Sequence, residues 1–499
     1  MPRNYTILDQ VDNQGNNKIY PQFNGGLDTT TTNDMLPDNR AIVRKNWGQD
    51  ELGALKKVSG YTVRNAGTLG AKPIRGLFRV YKSTGSDEML AICNGTVSYS
   101  DDEGATWTGA TGGGSLTETD YWTGVNYNDL YFFTGQTNNL YHYTPGTNTV
   151  AAATDKPTTG CKFLFKRADR RMVAIVNATN SSTLYYSKVD PTGTAADDWS
   201  ASNDAGSIAI DGVKSDPLTG GASIGTYDLI YKDYASFKVW NYPNPKAIRI
   251  IGGAGSASPY TVAQGEGMVF ALGHDSVSMW DGNSFTKISE PIKSVIANIN
   301  QTYIQNSFGV CRNGFYWLFY TPVGQTTNTK CLVYDIRNSN PYDNQCIWFE
   351  RDDLAMNCPL VLEGVGDNTE LYAGSSASTG FVYRLDNGTT DDTGNITAYY
   401  QTKYDNMGAS NIVKRFSKIY ITYYNTQGTF TVNWYCNRGT SVTGSYTITE
   451  TAGETIDVES MPDTCVGTDL SIKITHAGNS TAPIIRNIEV VWEALFDKG

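Results

Sequence analysis

The chain has 499 residues, 50 of them acidic and 39 basic, and only 18% are charged in total. That length can bury a large core and hold more than one domain, while a net charge of −11 argues against a basic surface that grips nucleic acid. No run of 18 apolar residues occurs, so no transmembrane helix is expected, and eight cysteines without a C-x-x-C pair and three scattered histidines propose no metal site.

Residues 1–61 read as an N-terminal extended arm, a docking segment. Met1-Pro2-Arg3-Asn4-Tyr5 lacks the apolar core of a signal peptide, so ordinary export is not expected. Asn24-Gly25-Gly26-Leu27-Asp28 marks a turn, and Thr29 to Thr32 is a low-complexity run. Pro37-Asp38 is a helix-start signal and predicts a short helix over 41–47. Gly53-Ala54-Leu55-Lys56-Lys57-Val58-Ser59-Gly60-Tyr61 then leads into the first repeat.

Residues 62–394 repeat one pattern, an apolar strand, a turn, and a second strand ending in an aromatic residue. The clearest copy is 90–107. Asn94-Gly95 between apolar runs is a hairpin signal because both turn positions need a positive φ. Ser100, Asp102, Gly104, Thr106 and Trp107 fit the spacing S-x-D-x-G-x-T-W of an Asp box. In that motif the hydroxyl and carboxylate bind turn amides and glycine takes a left-handed position. Trp107 is expected to be buried beside the turn, with a core-sized loss on truncation. Further copies begin at Leu130, Val173, Leu229, Val269, Phe315 and Leu371, with spacings of 40, 43, 56, 40, 46 and 56 residues counted from Leu90. Strand-rich repeats of roughly 40–50 residues indicate a β-propeller, here of six or seven blades. Residues 395–499 change register. Seven short segments of alternating polarity, at 396–403, 416–424, 429–436, 445–451, 455–459, 470–476 and 485–493, predict a β-sandwich. The fold class is therefore all-β.

No catalytic constellation emerges. G-x-S-x-G and H-E-x-x-H are absent. The Gly-rich stretches Gly112-Gly113-Gly114 and Gly252-Gly253-Ala254-Gly255 lack phosphate-loop spacing and read as surface loops. A sialidase-like glycosidase would need an arginine cluster, for which only Arg75 and the close trio Arg167, Arg170 and Arg171 offer themselves. The expectation is a protein without catalytic residues, cofactor or metal. The acidity is uneven, because 61–394 hold 33 of the 50 acids and 24 of the 39 basic residues.

The Gly-Gly-Leu turn, Asn46 and Gly53-x-Leu55-Lys56-Lys57-x-x-Gly60-Tyr61, with Val58-Ser59 where Arg-Pro is expected, resemble the N-terminal signature of the tail-nozzle and packaged-DNA-stabilisation proteins of short-tailed bacteriophages. Gln401-Thr402-Lys403-Tyr404-Asp405-Asn406-Met407-Gly408 and Lys414-Arg415-Phe416-Ser417-Lys418-Ile419 resemble a segment that follows the propeller in phage tail proteins. The resemblance implies a structural virion protein, made in the host cytoplasm and built into the tail. Copies would form a hexameric ring beside the portal or adaptor and other tail proteins. Genomic DNA would pass through the channel without specific binding, and nothing would insert in a membrane. Asp101, Asp102 and Glu103 are one candidate set of channel-facing acids, since an acidic lumen would repel duplex DNA and let it slide. The alternative within binding proteins is a phage receptor- or glycan-binding propeller, with exposed tyrosine and tryptophan stacking on sugars.

Overall fold

The computed structural model describes residues 5–6, 16–50, 53–137, 139–157, 161–176, 182–210, 216–363, 369–425, 429–449, 453–478 and 483–497. Within these the only α-helix is Lys293–Ala297, and no helix is long and apolar enough to cross a membrane.

The apolar runs at Leu90, Leu130, Val173, Leu229, Val269, Phe315 and Leu371 each lie in the second strand of a four-stranded antiparallel sheet. Each of these sheets is one blade. Neighbouring blades cover both faces of a second strand, so its polarity does not alternate. Glu88–Cys93 is buried at every position, and Phe315–Tyr320 at every position but the first. The innermost strands are Ile74–Val80, Trp122–Tyr127, Cys161–Lys166, Leu218–Ile224, Ala263–Gly265, Phe308–Arg312 and Met356–Glu363. They are arranged around one axis, with Pro259–Thr261 standing between Leu218–Ile224 and the fifth blade, and the first meets the last, so the ring closes as a seven-bladed β-propeller. The seventh blade takes its outermost strand from the start of the chain. Tyr61–Val63 pairs with Val382–Leu385, with Val63 opposite Tyr383 and Tyr61 opposite Leu385.

The β-sandwich packs two sheets over one core. One runs Gly453–Ser460, Val413–Asn425, Ile484–Asp497, and is extended by Asn16–Tyr20, Leu55–Lys57 and Trp47–Gln49. The other runs Arg40–Lys45, Gly394–Thr402, Leu470–Gly478, Thr429–Cys436, Gly444–Thr449. Between them lie Tyr20, Trp47, Tyr400, Ile421, Val432 and Ile488.

Residues 16–50 and 53–61, expected as part of an extended arm over 1–61, are thus woven into both domains. The helix expected over 41–47 is instead the strand Arg40–Lys45, with Asn46 at φ 56° and a new strand at Trp47. The Pro-Asp signal is local. It is overridden by a slot between Gly394–Thr402 and the outermost strand of blade 6, Trp348–Arg351, where Ile42 and Val43 suit extended backbone.

Candidate functional site

The axis of the propeller is filled at one end. Tyr121, Tyr260 and Phe308 come from blades 2, 5 and 6 and meet with ring centroids 5.0–5.8 Å apart, each less than a tenth exposed. Asn357 donates to the Tyr121 hydroxyl at 3.3 Å and Gln136 to that of Tyr260 at 3.2 Å. The Arg75 guanidinium sits 4.4 Å from the Tyr121 ring centre. Burial raises the Tyr121 phenol to about 12, against a smaller opposite pull from Arg75. Arg75 is therefore part of this plug. Arg167, Arg170 and Arg171 do not join it. They lie in the turn after the innermost strand of blade 3, where Arg167 pairs with Asp228 and Arg170 with Asp190, and Arg171 donates to the Ser187 and Asp204 carbonyls.

The Asp box joins the third strand of blade 1, Thr96–Ser100, to its outermost strand, Thr108–Gly109. Ser100 Oγ donates to Asp102 Oδ1 at 2.7 Å and accepts from the Gly104 amide at 2.8 Å. Asp102 also accepts from the Thr106 amide at 2.9 Å and the Thr106 hydroxyl at 2.6 Å. Trp107 Nε1 donates to the Gly104 carbonyl at 2.9 Å. Glu103 and Gly104 take φ of 58° and 84°. Desolvation alone would raise the Asp102 carboxyl, but the bonds from Thr106 and Ser100 bring it down to about 2. Trp107, expected to be buried, is half-buried, because the turn lies at the blade's outer edge and only one side of the indole meets the core. Of the three candidate channel acids, Asp102 is committed to the turn. Asp101 and Glu103 are exposed at the propeller's periphery, remote from the innermost strands, and Arg64 stands 3.8 Å from Glu103.

The second stretch that carries the phage resemblance is bonded to residues 18–38, which flank the Gly25-Gly26-Leu27 turn. The Tyr20 hydroxyl donates to Asp405 at 3.0 Å, Lys18 pairs with Asp405 and Asp38, and Lys403 pairs with Asp38 at 2.7 Å. Asn46 sits where propeller and sandwich join. It donates to the Thr397 carbonyl at 2.8 Å and accepts from Arg351 at 3.1 Å and the Asp352 amide at 3.0 Å. Arg351, with a side chain 2% exposed, also pairs with Asp391 and donates to the Ser59 carbonyl. A Cβ on Gly60 would fall 1.7 Å from the Thr390 carbonyl oxygen, so no other residue fits there. Burial first, then the nearby Arg351 guanidinium, push the Lys57 ammonium down to about 8.

Two clefts open beside these features. One of about 350 Å³ lies between blades 6 and 7 and the paired strands Trp47–Gln49 and Leu55–Lys57, and is lined by Lys56, Arg312 and Arg337 with Phe315 and Trp317. Arg312 is held by Asp386 and the Thr369 carbonyl, and Arg337 stacks 4.7 Å from the Phe315 ring centre. The other, of about 440 Å³, lies between blades 4 and 5, where Tyr234, His274, Asp233, Asp275 and Lys287 surround the loop 252–255. Among the described residues no group of three or more His, Cys, Asp or Glu is placed to hold a metal. Neither the plug nor the second cleft was foreseen from sequence. The glycines at 252–255 were the available signal, because a Cβ on Gly253 would fall 2.1 Å from Ser236 Oγ and one on Gly255 1.9 Å from the Asp233 carbonyl oxygen.

No protein-family model matches the chain, and no curated protein matches it. Among solved structures it is similar to YCF48 from Cyanidioschyzon merolae, with a TM-score of 0.42, 7% identity, and 66% of this chain and 98% of that chain covered. The computationally designed Ika8 protein gives a TM-score of 0.40, 9% identity, and coverage of 65% and 99%. YCF48 bound to D1 peptide gives 0.38, 9%, and coverage of 68% and 94%.

Proposed function

We propose that the chain is a structural virion protein of a short-tailed phage, a nozzle or DNA-stabilising component whose copies form a hexameric ring on the portal or adaptor. The ring keeps the packaged genome in and conducts it out, without turnover on any substrate. The observation that carries this reading is where the signature residues stand. Gly26, Asn46, Lys57, Gly60 and Tyr61 lie along the junction between propeller and sandwich, Leu55 anchors the adjoining strand in the sandwich core, and the second signature stretch bonds back to residues 18–38. A set of residues spent on fixing two domains into one body suits a part that must hold its shape around a pressurised genome.

DNA then runs between copies, since the propeller axis is filled by Tyr121, Tyr260 and Phe308. The acids of 61–394 would add up around such a ring into a field that repels phosphates. The test is electron microscopy of the purified protein and of particles that contain it. Six-fold rings at the tail are expected. A protein that stays monomeric at every concentration and is missing from particles overturns the reading.

A further inference from the structure

The cleft between blades 4 and 5 contains an unusual floor. Ser278 is 1% exposed, lines the cleft, and its hydroxyl has no hydrogen-bond partner among the described residues. The Ser236 hydroxyl, packed beneath Gly253, and the Tyr231 hydroxyl, in the core between the same two blades, are likewise fully buried and without partners. A buried hydroxyl left unpaired costs free energy, so a partner that can both donate and accept is called for. The rim supplies different chemistry. Tyr234 is 69% exposed, and its ring stacks on His274 at 5.0 Å with 20° between the planes, leaving the other face open to solvent. Asp275 lies 3.4 Å from Lys287, and Asp233 lies 3.9 Å from His274. The rim charges nearly cancel, which argues against a strongly charged ligand.

We infer that this cleft binds a neutral saccharide of one or two pyranose rings. The apolar face of a sugar ring stacks on the open face of Tyr234, as C–H groups do on an aromatic platform. Its hydroxyls donate to the Asp275 and Asp233 carboxylates, and one reaches down to exchange hydrogen bonds with Ser278. Sugar hydroxyls are donors and acceptors at once, the property the orphaned Ser278 hydroxyl requires. The volume of about 440 Å³ falls within the range of about 300–1,000 Å³ usual for small-molecule sites. The inference is independent of the ring reading and does not need it.

The experiment is titration calorimetry and saturation-transfer NMR on the full chain with glucose, galactose, N-acetylglucosamine and their β-1,4-linked dimers, and with arginine methyl ester as a cationic probe. Tyr234→Ala and Asp275→Asn are the test variants, and Tyr424→Ala, an exposed tyrosine of the sandwich, is the control. Melting curves check that each variant folds. The expected result is that at least one saccharide binds, that each test variant weakens it about tenfold or more, and that Tyr424→Ala does not. The inference is overturned if no saccharide binds the parent chain, if binding survives both test variants, or if only the arginine probe is lost.

Discussion

Asp102 illustrates how a carboxylate can be fully employed while close to solvent. Its pKa of about 2 lies below the value of about 3.9 expected in the unfolded chain. The charged form therefore stabilises the fold above about pH 4, and that contribution disappears as pH falls towards 2. Asp102→Asn should destabilise the fold at pH 7 by about 1 kcal/mol after solvent screening, read as a lower melting temperature. The gap to the parent should close between pH 4 and pH 2 in a pH series of melting curves, and a gap independent of pH would contradict the assignment. Trp107 belongs to the same turn, but its half-buried position reduces the expected loss. Trp107→Ala should cost about 1.5–2.5 kcal/mol by denaturant titration rather than the larger loss of a core tryptophan. The residue pattern of the Asp box was readable because its bonds span only 100–107. The plug was not, because Tyr121 and Tyr260 stand 139 residues apart and only ring closure brings them together.

At the scale of elements, the second strands were legible and the innermost ones were not. Sequences such as Trp122-Thr123-Gly124-Val125-Asn126-Tyr127 and Leu218-Thr219-Gly220-Gly221-Ala222-Ser223-Ile224 mix glycine and polar residues, because neighbours crowd them near the axis. No simple periodicity marks such a strand. The sandwich strands were legible for the opposite reason. One face meets the core and the other water, so polarity alternates, as the burial of Phe430, Val432 and Trp434 shows. The junction between domains invites a sharper test. Asp391→Ala would leave the Arg351 guanidinium buried without its carboxylate, and should cost about 3–5 kcal/mol in chemical denaturation. The double change Arg351→Met with Asp391→Leu should recover much of that loss, since both charges then go together. Equal losses in the single and double variants would show that the pair is not the source.

For the whole molecule, propeller and sandwich share one continuous sheet. It runs from blade 6 through Trp348–Arg351 and Arg40–Lys45 into Gly394–Thr402, and on through Thr390–Asp391 to Tyr61–Val63 in blade 7. Domains joined only by a linker unfold separately, whereas shared strands couple them. Calorimetry should therefore record one cooperative unfolding transition, and two well-separated peaks would show that the shared strands carry little coupling. The number of blades was not legible in the sequence, because the strand that completes blade 7 comes from the other end of the propeller's sequence.

That completion by an early strand sets a timetable for biosynthesis. Asn17 and its partner Glu489 are 472 residues apart, a distance that translation covers in roughly 25–95 s. Through that interval Asn16–Tyr20 and Tyr61–Val63 are strands with no partner yet made, and unpaired strands invite association with other nascent chains. Blade 7 cannot be completed before Val382–Leu385 is made, nor the sandwich before Ile484–Asp497, so neither domain can finish ahead of the other by much. Lys18 on Asn16–Tyr20, and Arg40, Arg44 and Lys45 on Arg40–Lys45, which likewise waits for Gly394–Thr402, are the kind of charges that discourage mispairing until the late strands arrive.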